Sequence, residues 1–179
     1  MKRRHFVGSA TRGLGGLFVG AGAIGRLDWP VAAPYLLVPM DDSQGDHLKA
    51  YGLTYRALER GGRAEWFLNY RGGSFLVPGD AATTRDAALA GVTCEPLGEG
   101  QVTDIKAQIQ QQNMDAVPLE KPPKVAVYAP PNASPWDDAV TMVLNYAGIA
   151  FEKVWDTEVL GKGLAKFDWL HLHHEDFTG

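Results

Sequence analysis

The chain has 179 residues, 45% hydrophobic and 21% charged, with a formal net charge of −4. Residues 1–33 hold five cations (Lys2, Arg3, Arg4, Arg12 and Arg26) against one acid, Asp28, a net of +4, so the remainder carries −8. An acidic body excludes nucleic acid, whose phosphates need a basic stripe, and excludes adhesion of the body itself to anionic lipid; the single cysteine, Cys94, excludes an internal disulfide.

The chain opens with Lys2-Arg3-Arg4-His5-Phe6, followed by an uncharged run rich in Gly, Ala, Leu and Val from Gly13 to Gly25. A basic start, a short apolar segment and Ala21-Gly22-Ala23 are the three parts of a secretory leader, and Arg3-Arg4 with Phe6 two residues on point to the twin-arginine export route. The run is shorter than the roughly 20 residues a spanning helix needs, and its glycines weaken a helix further. The cleavage flanks are poor: Ala23 precedes Ile24-Gly25-Arg26, and Ala33 precedes Pro34. Residues 1–33 are therefore expected to be an export signal that is either removed or retained as a membrane anchor. The address is the periplasmic face of the cytoplasmic membrane.

Residues 34–118 form the first α/β half in this reading. Tyr35 to Met40 is an apolar strand, and Asp42 or Ser43 is positioned to cap a helix from His47 to Arg60, where Leu48, Tyr51, Tyr55 and Leu58 recur at helical spacing until Gly61-Gly62. Ala64 to Tyr70 and Ser74 to Val77 read as strands broken by Arg71-Gly72-Gly73. A helix over 81–90, an extended segment over 91–97 and a polar helix over 102–112 follow. Residues 119–123, Leu-Glu-Lys-Pro-Pro, read as a linker, because prolines disfavour helix and strand ladder alike.

Residues 124–179 restart the pattern as a second half: a strand over 124–129, a helix opened by Ser134-Pro135 and stopped at Gly148, a strand over 151–155, a short helix over 158–166 and a strand over 169–173. The expected fold is α/β, a doubly wound, mostly parallel sheet with helices on both faces.

Several groups are candidates for chemistry. Asp41, Asp42, Asn69, Arg71 and Asn132 are expected at the carboxyl ends of strands, where an open α/β sheet places its ligand crevice, and Arg71 can hold a carboxylate or phosphate in bidentate fashion. Asp41-Asp42 also fit as helix-start acids. His171 and His173 fall on one face of a strand with Glu175 nearby, a set that can hold a divalent metal, the only cofactor the sequence offers; these groups equally fit hydrogen bonding at a strand end, since no His-Glu-x-x-His spacing is present. Cys94 is followed by Glu95-Pro96 and lacks a glycine-flanked nucleophile elbow, so it reads as a small buried hydrophobe.

The segments Tyr35-Leu-Leu-Val-Pro-Met-Asp-Asp42, His47-Leu-Lys-Ala-Tyr-Gly52, Leu68-Asn-Tyr-Arg-Gly-Gly-Ser-Phe75, Trp136-Asp-Asp-Ala-Val140 and Leu170-His-Leu-His-His-Glu-Asp-Phe-Thr-Gly179 resemble an exported bacterial family labelled asparagine synthetase B-like. The resemblance implies a fold related to class I glutamine amidotransferases or flavodoxins, with no reaction attached; a true synthetase begins with a nucleophilic cysteine, which this chain lacks. Members continue beyond the stretch that resembles 173–179, so the chain resembles an amino-terminal portion. The expected role is a non-catalytic, exported, membrane-associated accessory or scaffold subunit of a membrane protein complex, respiratory or photosynthetic in kind. The alternative is an amidotransferase-like enzyme or small-molecule binder using the strand-end crevice.

Overall fold

Alternation along Tyr35-Leu36-Leu37-Val38 divides the first core in two. Leu36 and Val38 join one apolar cluster and Leu37, with Tyr35 beside it, joins another, as a strand covered on both faces requires. The computed structural model describes residues 33–132 and 139–172, and Ala32–Gly179 cluster as one unit. The leader candidates Arg3, Arg4 and Phe6, the metal candidates His173 and Glu175, and the proposed Ser134 cap lie outside the described residues.

The first sheet contains β1 (Tyr35–Val38), β2 (Ala64–Phe67), β3 (Ser74–Pro78), β4 (Glu95–Leu97) and β5 (Ala116–Leu119), in the order β4-β1-β3-β2-β5. Helices α1 (His47–Glu59) and α2 (Ala81–Ala90) cover one face through Ala50, Leu53, Ala57, Leu58 and Ala87. Helix α3 (Glu99–Gln111) covers the other with Val102 and Ile109 against Leu37, Phe67 and Leu76.

Every neighbouring pair in this sheet is antiparallel, which corrects the expected mostly parallel layer. The strand-helix-strand rhythm is real, but the two strands flanking each helix are not adjacent. β3 lies antiparallel between β1 and β2, and β1 lies between β3 and β4. A six-residue turn, 68–73, joins β2 to β3, and so short a connection closes only an antiparallel pair. The β1-α1-β2-β3-α2-β4 segment, with order β4-β1-β3-β2 and both helices on one face, is the split βαβ arrangement called ferredoxin-like. α3 and β5 extend it, covering the face that such a unit leaves open.

β5 is a second correction. Residues up to Leu119 pair with β2, in the register Trp66↔Val117 and Glu65↔Pro118, where the sequence reading begins a linker at 119. Proline is tolerated because β5 is an edge strand, where an N–H on the outer side has no ladder partner to lose. The irregular connection is confined to 120–124.

The second sheet is parallel, with order β7-β6-β8: β6 (Val125–Tyr128), β7 (Phe151–Val154) and β8 (Trp169–Leu172). α4 (Ala139–Ala147) connects β6 to β7; α5 (Asp156–Leu160) and a 3-10 helix (Gly163–Lys166) connect β7 to β8. Val125, Val127, Ala129 and Leu144 form its core. The chain steps to one side of β6 and then to the other. The mixed helix and strand class expected from the sequence thus holds, with an antiparallel first layer and a parallel second one.

α1 joins the two layers. A Cβ on Gly52 would lie 1.7 Å from the Ala147 carbonyl oxygen, so only glycine admits this approach of α4. Arg56 Nη1 donates to the same oxygen at 3.2 Å, and the Tyr146 hydroxyl donates to Asp46.

Candidate functional site

The turn that closes the β2–β3 hairpin presents Arg71. Asn69 (φ 64°), Arg71 (φ 48°), Gly72 (φ 78°) and Gly73 (φ 90°) are all left-handed there, which glycine tolerates freely and asparagine better than most residues. The Arg71 carbonyl accepts the Met40 N–H at 3.0 Å, fixing the turn against the segment that leaves β1. A side chain at Gly72 would run into the Met40 carbonyl, 2.3 Å from its Cβ.

So placed, the guanidinium ties its own turn to two other segments, the β1–α1 loop and β4. Its Nε donates to Asp41 Oδ2 at 2.8 Å, Nη1 to Glu95 Oε1 at 2.5 Å, and Nη2 to the Ser43 hydroxyl at 3.1 Å. Ser43 in turn donates its N–H and hydroxyl to Asp41 Oδ1. The Arg71 hydrogen bond, followed by that of Ser43, holds the Asp41 carboxyl well below the usual carboxylate range, while Asp41 and then Glu95 push Arg71 above its ordinary value. Asp41 and Arg71 do converge, but on each other. The carboxylates that occupy Arg71 belong to the protein, and a ligand anion would have to displace them.

The other sequence candidates are not drawn into this node. Asp42 is exposed. Neither it nor Ser43 caps α1: Asp46 does, accepting the Lys49 N–H at 3.0 Å. Asn69 is exposed and shapes the turn. Asn132 is exposed beyond β6, in the other sheet. His171 lies on β8 opposite Val127 and is half-buried. Among the described residues, no group of three or more His, Cys, Asp or Glu side chains is placed to hold a metal.

Gln44 carries no signal in the sequence and proves central to the loop. It is 6% exposed; its amide donates to the carbonyls of Pro39 at 2.8 Å and Thr93 at 3.2 Å, and its Oε1 accepts the Thr93 N–H at 2.9 Å. One side chain therefore ties the β1–α1 loop to the segment before β4. Next to it Cys94 is half-buried, and desolvation pushes its thiol up to about 11, so it stays protonated at neutral pH.

At the carboxyl end of β6, the Tyr128 ring stacks on Trp155 with centroids 4.6 Å apart, and its hydroxyl donates to Asp156 at 2.6 Å.

Comparison with known proteins finds no matching family model, no similar curated protein and no similar solved structure. The site must be judged on its own chemistry.

The sheet edges differ from one another in a way that bears on binding. Of the four edges formed by the described residues, three carry residues that discourage pairing with another strand: β4 has Glu95 and Pro96, β5 has Pro118, and β7 has Glu152 and Lys153. The fourth, β8, reads Trp-Leu-His-Leu, with no proline, acid or lysine. Trp169 and Leu172 are each 51% exposed. The Trp169 N–H donates inward to the Lys124 carbonyl at 3.2 Å, and strand alternation then turns the N–H and C=O of Leu170 and Leu172 to the outer side.

Proposed function

We propose that this chain is a non-catalytic, exported, membrane-associated protein that acts as an accessory or scaffold subunit of a membrane protein complex, pairing with its partner through the outer edge of β8. One observation carries the binding role: among the four sheet edges formed by the described residues, β8 alone lacks a guard residue and exposes large apolar side chains. An added strand would satisfy its outward backbone groups and cover Trp169 and Leu172. Its reversal of direction at β6 supports reading the second sheet as the start of a doubly wound layer, of the amidotransferase or flavodoxin type that the sequence resemblance implies.

Export and membrane attachment rest on Arg3-Arg4, Phe6 and the Gly13–Gly25 run. No described helix is long and apolar enough to cross a membrane, so attachment in this reading runs through the N-terminal segment or the partner. An enzymatic or small-ligand role for the Arg71 region has less support, because its guanidinium is committed to Asp41 and Glu95.

The test combines mass spectrometry of the mature N-terminus with fractionation of membranes washed in high salt, on the native chain and on Leu170→Pro. That substitution removes an outward N–H while leaving the inward ladder to β6 in place. The native chain should remain with membranes together with a partner, and Leu170→Pro should lose the partner. A soluble mature chain beginning near residue 24 or 34 refutes attachment; an undiminished partner in Leu170→Pro refutes the β8 edge.

A further inference from the structure

Where α1 meets the amino ends of β6 and β7, the structure forms a second feature, a pocket open to solvent, remote in role from the β8 edge. Tyr55 from α1, Val125 from β6, Phe151 from β7 and Phe167 surround a cavity of about 140 Å³, which Lys124 and Glu152 also line. A cavity of about 150 Å³ with apolar walls is enough to admit a benzene ring. Three of the seven lining residues, Tyr55, Phe151 and Phe167, are aromatic, so a single planar ring can pack against them edge-to-face or offset.

The polar groups are unevenly committed. Glu152 is held by Lys166 at 2.6 Å and so is already neutralised. Lys124 makes no ion pair within 4 Å among the described residues; its backbone N–H donates to Asp168, whose carboxylate also feels the Lys124 charge but is directly paired with Lys121 at 2.6 Å. Tyr55 is only 9% exposed, yet its hydroxyl reaches the Pro123 carbonyl at 3.5 Å, the outer limit of a hydrogen bond. Burial raises its pKa, which keeps the phenol a neutral donor. A buried donor so weakly satisfied calls for a partner.

We propose that this cavity binds a small aromatic carboxylate, with the ring between Phe151 and Phe167 and the carboxylate directed to the Tyr55 hydroxyl and the Lys124 ammonium. The ring accounts for the volume and the aromatic walls; the negative charge accounts for the cation and the underused donor. A neutral ring would leave the buried Tyr55 donor unanswered, and an amine would face Lys124.

Titration of the full chain with sodium benzoate, followed by NMR shifts of the aromatic side chains, tests this. Saturation is expected with a dissociation constant of about 10 mM or tighter for a ligand of this size, with benzylamine at least about tenfold weaker. Lys124→Ala and Tyr55→Phe should each weaken benzoate by about tenfold, the usual effect of losing a hydrogen bond to a charged group. Ala150→Phe, which fills the cavity from a lining position, should abolish binding. Lys124 is exposed, so its replacement keeps the test sound if a core variant fails to fold. Absence of saturation, equal binding of benzylamine, or benzoate affinity unchanged in Lys124→Ala overturns the proposal; water would then be the cavity's occupant.

Discussion

Replacing Gly52 by alanine puts the smallest possible wedge between the two layers. The added Cβ would sit 1.7 Å from the Ala147 carbonyl oxygen and 2.7 Å from its carbon. Both are backbone atoms, so no side chain can swing aside; α1 and α4 must move apart. Two effects oppose each other. Alanine favours the helix over glycine by about 1 kcal/mol. Overpacking a tight contact costs about 1–3 kcal/mol, and separation also loses the 3.2 Å bond from Arg56 to Ala147, about 1 kcal/mol more. The net expectation is a loss of about 2 kcal/mol, which lowers Tm by about 4–8 °C in a chain of this size. Urea and thermal unfolding give the number. Gly100→Ala is the control: it lies in α3 with nothing within 4 Å of its Cβ, so only the helix preference acts and stability should rise by about 0.5–1 kcal/mol. If Gly52→Ala is as stable as Gly100→Ala, the close approach of α4 to α1 is wrong.

Other outcomes follow from the same packing. Phe67 is fully buried between β2 and α3, and Phe67→Ala should cost about 3–5 kcal/mol in a urea titration. Asp80 caps α2 by accepting the Thr83 N–H at 2.8 Å, and Asp80→Ala should cost about 1 kcal/mol at pH 7. The Thr83 backbone bond lowers the Asp80 pKa from 3.8, so its contribution is complete above the unfolded value and fades as pH falls through the folded one. The gap between wild type and Asp80→Ala should accordingly begin to narrow below about pH 4 and keep narrowing as pH falls through the lowered folded value, and a gap that does not change with pH in acid would contradict the assignment. Alkylation of Cys94 by iodoacetamide should be slow at pH 7.5 and still climbing about tenfold per pH unit through pH 10, in keeping with a thiol pushed to about 11; a rate that is half-maximal near pH 8.5 and levels off by about pH 9.5 would show an ordinary exposed thiol.

The second sheet was legible in the sequence because its pairings are local in kind. A β-branched strand such as Val125–Tyr128, a helix and another strand form a βαβ unit whose connection dictates parallel pairing. In the first sheet the same rhythm misleads. Tyr35-Leu-Leu-Val and Ser74-Phe-Leu-Val-Pro are plainly strands, but nothing in either segment says that β3 inserts between β1 and β2; that depends on long-range packing on both faces. Pro118 hid β5 because a proline argues against a central strand and only the finished sheet reveals an edge. At the Arg71 node the sequence placed Asp41 and Arg71 at strand ends, and they meet there. It gave no sign that Glu95 would arrive from a distant edge strand, nor that Gln44 would clamp the loop, since a lone polar residue in a polar loop has no periodicity to betray burial.

Site-specific photo-crosslinking in cells tests the binding role most directly. A photoreactive phenylalanine analogue in place of Leu172 stands on the unguarded edge; the same analogue in place of Lys153 stands on β7, which carries two charges. The proposed role predicts an adduct with one membrane-fraction protein from position 172 and none from position 153. An adduct of equal yield from both positions, or none from 172, would contradict it.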